Sequence, residues 1–188
     1  MRRTRQILAD TVKAQAIDLL DVRLAAAIDL HGQIRHARWN VRGRGCRLAH
    51  DLFDEIAFEI AGHCDAMAER ARVLGGMVLG GVDLGGMAHG TIEIAAQHSV
   101  RPSYPPGIAS QQPHMRAVAD ILADFDAALQ RAIHQAEAIG DGVTADLFAE
   151  ISRGIDQQLW LVESRIAWQM IQRPARVTRA SAILAFAT

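Results

Sequence analysis

Apolar positions recur every three or four residues along four long stretches of the chain. Within about residues 8–40 the stripe is Leu20, Leu24, Ala27, Ile28 and Ile34. Within about 47–74 it is Leu48, Leu52, Phe53, Ile56, Ile60, Cys64, Met67 and Ala71. Val118, Leu122, Phe125, Leu129, Ala132 and Ile133 mark about 114–139, and Phe148, Ile151, Ile155, Leu159, Val162, Ile166 and Met170 mark about 144–172. Such steps keep one face of a 3.6-residue helix apolar, so each stretch predicts an amphipathic helix. Gly43 and Gly45 break the first from the second. Gly140-Asp141-Gly142 breaks the third from the fourth, with Asp141 and Asp146 complementing the positive end of the fourth helix. The five prolines, Pro102, Pro105, Pro106, Pro113 and Pro174, all fall outside these stretches.

Residues 75–113 form a long connection between the second and third helices. It begins glycine-rich, with Leu74-Gly75-Gly76, Leu79-Gly80-Gly81 and Leu84-Gly85-Gly86, and ends proline-rich. The triplets read as a flexible insertion, Gly75–Gly86, and Thr91–Gln97 as a short extra helix. Two short connections and one long crossover are the topology of an all-α, ferritin-like four-helix bundle. The expected organisation is a basic N-terminal tail over 1–9, the bundle over 10–172, and a C-terminal tail over 173–188.

Composition fits one domain with a substantial core: 188 residues, half of them hydrophobic and 22% charged. No apolar run approaches the roughly 20 residues of a membrane helix. The N-terminus lacks the apolar segment of a secretory signal. Cys46 and Cys64 lie far apart on one helix and suggest no disulfide framework, so a reducing, cytoplasmic setting is expected. Net charge is −1, which excludes a uniform polycation. The charge is uneven, however. Arg2, Arg3 and Arg5 give the first nine residues +3, Arg173, Arg176 and Arg179 give the last sixteen +3, and the body between carries −7. Repeated over a symmetric assembly, such ends could grip DNA phosphates without reading bases.

The chemistry concentrates on the second helix. At about 100° per residue, Asp54, Asp65 and Glu69 lie roughly 40°, 60° and 100° round from His50. All four lie within about one quarter of the circumference. Histidine and carboxylates on one stripe suit iron, manganese or zinc; the alternative is an ordinary solvated acidic face. The pairs His50/Asp54 and Asp65/Glu69 have midpoints about 22 Å apart along the axis, too far to share an ion within one chain. A two-fold axis near residues 59–60 would bring each pair against the other pair of a second copy, giving two equivalent sites in an isologous dimer. Ala57, Ala61 and Ala68 on or beside this face would allow close approach.

The stretch Asp29-Leu30-His31-Gly32-Gln33-Ile34-Arg35-His36-Ala37-Arg38-Trp39-Asn40-Val41-Arg42-Gly43 resembles the Dps family, the small ferritins that protect DNA in starved bacteria. The resemblance continues through His50-x-x-x-Asp54, Asp65-x-Met67-Ala68-Glu69-Arg70, Leu74-Gly75-Gly76, Ser103-Tyr104-Pro105, Thr144-Ala145-Asp146 and Leu159-Trp160-x-x-Glu163, spanning about residues 10–168. It implies a hollow homo-dodecamer that oxidises ferrous iron, preferably with hydrogen peroxide, and stores the ferric mineral, with no organic cofactor. The oxidation site lies at the two-fold seam, with His50, Asp54, Asp65 and Glu69 as catalytic metal ligands. It also implies an acidic three-fold pore through which iron enters, here from Asp141, Asp146 and Glu150.

One position departs from the family. Where it carries a ligand histidine before Trp-Asn, this chain has Arg38. A guanidinium has no lone pair to donate. It is expected instead to pair with Asp65 or Glu69 across the seam, in the place of the cation. The resulting expectation is a ferroxidase with a weakened centre; the alternative is a nucleoid-binding structural cage with little or no such activity. Either would be cytoplasmic, and associated with the nucleoid if the tails bind DNA.

Overall fold

A computed structural model describes residues 7–43, 46–76 and 110–171. They form four helices: α1 Asp10–Asn40, α2 Cys46–Val73, α3 Gln111–Ala138 and α4 Gly142–Ile171. Most of the expected stripe residues are buried, whereas Leu48 is 47% exposed and Ile28, Cys64, Ile133, Leu159 and Ile166 are partly buried. Leu20, Leu24, Ala27, Leu30 and Ile34 of α1 meet Phe53, Ile56, Ile60 and Met67 of α2 and Leu122, Phe125, Leu129, Phe148, Ile151 and Ile155 of α3 and α4 in one core. Two antiparallel hairpins, α1–α2 and α3–α4, make this bundle; α1 packs on α3 more extensively than α2 packs on α4. No described helix is long and apolar enough to cross a membrane.

The helix ends are set by backbone chemistry. After α2, Gly75 adopts φ +93°; its N–H bonds the Arg72 carbonyl, and the Gly76 N–H bonds the Ala71 carbonyl. After α3, Gly140 adopts φ +83°, with matching bonds to Glu137 and from Asp141 to Ala136. Both are Schellman turns, which need a residue that tolerates positive φ. The first Leu-Gly-Gly triplet is therefore not part of an insertion. Leu74 is fully buried, and a side chain at Gly76 would meet Ile17 at 3.0 Å. The rest of the expected insertion, the extra helix over 91–97 and both tails lie outside the described residues.

The described chain stops at Gly76, beside the start of α1, and resumes at Ser110, bridged to Arg42 beyond the other end of α1. The end of α2 and the start of α3 thus lie at opposite ends of the bundle, and these two helices run parallel. This is the ferritin-like arrangement expected from the connection lengths.

Asp141 joins three elements. Its backbone N–H closes the turn after α3. Its carboxylate accepts the Thr144 amide at 3.2 Å and the Thr144 hydroxyl at 2.6 Å, capping α4. It also accepts the Arg70 guanidinium from α2 at 2.8 and 3.0 Å. Burial pushes this carboxyl up, but the Thr144 and Arg70 hydrogen bonds outweigh it and hold the group below its ordinary range. Its stabilising effect is then present above the ordinary carboxylate range and lost as acid protonates the pair. Asp141→Ala, which strands a nearly buried guanidinium, is expected to cost roughly 3–5 kcal/mol in denaturant unfolding at neutral pH.

Asp21 behaves oppositely. Half-burial, with Asp18 nearby, pushes its carboxyl up to about 6, and Oδ1 is buried without a hydrogen-bond partner among the described residues. An acid raised in the folded state favours folding below its unfolded pKa and loses that contribution as pH rises through about 6. Asp21→Asn is expected to raise the melting temperature by about a few degrees at pH 8 and to change little at pH 4.

Candidate metal centre

The α1–α2 hairpin brings the last turns of α1 beside the first turns of α2. There Arg38 donates Nε–H to Asp54 Oδ1 at 2.5 Å, and an Arg35 Nη lies 3.7 Å from the same oxygen. Arg35 also stands 5.7 Å over the Trp39 ring, a cation–π distance. The hydrogen bond to Asp54 pushes the Arg38 guanidinium further toward its charged form. Burial, with Arg35 nearby, lowers the His31 pKa and favours neutral imidazole. His50 is half-buried one turn before Asp54.

Within its own chain Arg38 donates one hydrogen bond, to Asp54, a partner not expected from the sequence, because α1 and α2 are neighbours within the hairpin. The second arginine, Arg35, went unrecognised in the sequence. Its signal was the Arg35-x-x-Arg38 spacing, which puts both guanidinium groups on one side of α1.

Asp65 and Glu69, further along α2, are exposed and have no ion-pair partner among the described residues. Asp65 lines a cleft between α2 and α4 with His63, Leu147 and Glu150. Glu69 lines the adjoining cleft with Asp146, Glu150 and Arg153. Asp146 and Glu150 are exposed and available to a pore. Asp141, expected beside them, is only 1% exposed and is taken up by Arg70 and Thr144, so it offers no carboxylate to a pore. The Arg70–Asp141 pair joins residues far apart in sequence, and no local spacing announced it.

One further expectation about α2 changes. Ala57 faces its own core, 3% exposed, and is not available for contact with a second copy; Ala61 remains partly exposed. Trp39 and Trp160 are 61% and 64% exposed and lie outside the core formed by the described residues.

Among the described residues no three His, Cys, Asp or Glu side chains are grouped to hold a metal ion. Each chain carries two half-sets of donors. The Asp65/Glu69 half offers two uncompensated carboxylates suited to a hard cation. The His50/Asp54 half fits a dication poorly: the ion would have to displace Arg38 from Asp54 and settle beside two guanidinium charges.

The profile of the ferritin-like domain family matches residues 17–168. The chain is 29% identical over 164 residues to the DNA protection during starvation protein of Agrobacterium fabrum, covering 87% of this chain and 95% of that one. Its fold matches Dps of Mycobacterium smegmatis with a TM-score of 0.76 at 23% identity, over 88% of this chain and 93% of the other. It likewise matches Dps from Microbacterium arborescens in its high iron form, with a TM-score of 0.72 at 25% identity, over 87% and 98%. With the hairpin order, the long crossover and the α2 stripe, these likenesses make the chain a member of the Dps branch of the ferritin-like proteins.

Proposed function

We propose that this chain is a Dps-like miniferritin that takes up ferrous iron, oxidises it at the seam of a two-fold pair, and stores the ferric product in a dodecameric cage. The observation that carries this reading is the outward-facing, uncompensated Asp65/Glu69 half-set on the helix that also bears His50 and Asp54. A second copy, antiparallel about residues 59–60, would complete each site. Ferrous iron and peroxide are the substrates. Two ferrous ions each give up one electron; the peroxide O–O bond breaks, accepts both electrons and two protons, and leaves as two waters. Removing both reactants from solution would protect cell and DNA from hydroxyl-radical chemistry. Asp146 and Glu150 would line the inlet for iron.

In this reading Arg38 weakens the centre. It supplies no lone pair, it neutralises one of the four ligands, and with Arg35 it repels an approaching dication. The Arg38–Asp54 pair also favours a second reading, a cage that organises DNA with little oxidation chemistry of its own. The basic residues Arg2, Arg3, Arg5, Arg173, Arg176 and Arg179 would supply the phosphate contacts.

Stopped-flow oxidation of ferrous iron by peroxide separates the two. Arg38→His is expected to raise the initial rate by roughly ten- to a hundredfold over the natural chain. Equal, fast rates in both proteins would remove any impairing role for Arg38, and no ferric retention in either would remove the storage function. If the tails bind DNA, mobility shifts should weaken steeply between low and moderate salt and further when either tail is trimmed. Retardation that survives both trims would place the DNA contact elsewhere.

A further inference from the structure

The outward stripe of α2 is polarised. Near its start, Arg35 and Arg38 both face one carboxylate, Asp54, with Asp51 the next negative charge near Arg38. Towards its end, Asp65 and Glu69 carry two negative charges with no partner among the described residues. Arg38 meets Asp54 through Nε alone, and its two terminal nitrogens make no hydrogen bond among the described residues. Since a guanidinium presents a planar fork of five N–H donors, the unused edge is suited to a second carboxylate.

Between the charged ends stands Phe58, 78% exposed. It lies about 80° round from His50, inside the same stripe. An antiparallel register that sets Asp54 opposite Asp65 of the partner subunit, and His50 opposite the partner subunit's Glu69, sets Phe58 opposite the partner's Ala61. A large aromatic side chain would then seat on a small residue at the centre, flanked by opposite charges. That is the make-up of an interface with an apolar anchor and a polar rim.

Resting on the two-fold pairing proposed above, we infer that the seam is closed by an arginine–carboxylate lock: Arg38, supported by Arg35, bridges Asp54 of its own chain to Asp65 and Glu69 of the partner subunit, on either side of a Phe58 anchor. The guanidinium occupies the position a ligated cation would take. Association of the two chains is therefore independent of metal and governed by ionic strength. Iron and the lock compete for the same carboxylates.

The test uses the full-length, iron-free chain and follows its associated state by sedimentation and native mass across a salt series, with helical content as the control for folding. The natural protein should stay paired in chelator and separate as salt rises. Arg38→Ala and Phe58→Ala should each raise the dissociation constant of the pair by about thirtyfold or more. Arg38→Lys, which keeps the charge but loses the fork, should fall between. Arg38→Asp and Asp65→Arg should each weaken the pair, and the two combined should recover it. A dissociation constant within threefold of the natural value in Arg38→Ala, separation by chelator, or no recovery in the double reversal overturns the lock. No iron or peroxide enters this measurement, so a chain that fails to oxidise iron can still carry the lock. A broken lock likewise leaves the Arg38→His rate comparison intact.

Discussion

Side chains fixed to one rigid rod cannot converge on a point. Asp54 and Asp65 are eleven residues apart on α2, about 16 Å along its axis, and no rotamer closes that distance. Any centre using both ends of the stripe needs two chains, and a two-fold axis makes the second site automatic once the first forms. The rest of the bundle bears on this constraint. The core faces of α1, α3 and α4 bury one side of α2 and leave its outward stripe for a neighbour.

Arg38 changes what that stripe can hold. A histidine before Trp39 would add a neutral donor. The arginine adds a permanent charge and reaches Asp54 at 2.5 Å. Arg35, steadied over Trp39, adds a second charge near the same oxygen. Two fixed cations beside one ligand raise the cost of bringing in a dication even where screening is strong. The opposite half, Asp65 and Glu69, suffers no such competition inside its own chain. The two halves of the stripe thus differ in what faces them: Arg35 and Arg38 lie against Asp54, whereas Asp65 and Glu69 have no ion-pair partner among the described residues.

Much of this was legible in the residues alone. The three-and-four stepping of Leu20, Leu24, Leu122, Phe125, Phe148 and Ile155 identified the helices and their buried faces, because burial is periodic. The glycine-flanked Asp141 marked the α3–α4 turn, because only certain residues stop and start helices. Pairing across helices was not legible. Arg70 and Asp141 are 71 residues apart, and nothing local in either declares the other. The same limit assigned Asp141 to a pore when its carboxylate is spent on Thr144 and Arg70. It also hid the contact of Arg38 with Asp54 of its own chain, which the hairpin places within its reach. Ala57 failed for another reason: at about 20° outside the stripe it is close enough to the boundary for packing to draw it into the core.

These cross-helix pairs also explain how α2 presents its stripe. Near one end, Arg38 ties α2 to α1 through Asp54. Near the other, Arg70 of α2 is tied to the start of α4 through the buried Asp141. The two ties are sixteen residues apart, about 24 Å of helix, and they enclose Phe58 and Asp65, with Glu69 beside the second. Between them α2 contacts α4 only sparsely and is held chiefly by its core face against α1, to which the two ties add fixed polar points at either end. A stripe of charge serves recognition only if its spacing is held while a partner approaches. The buried pair at Asp141 and the half-exposed pair at Asp54 hold it at both ends. The first is a structural contact sealed from solvent, whereas the second remains open enough to be shared with another chain.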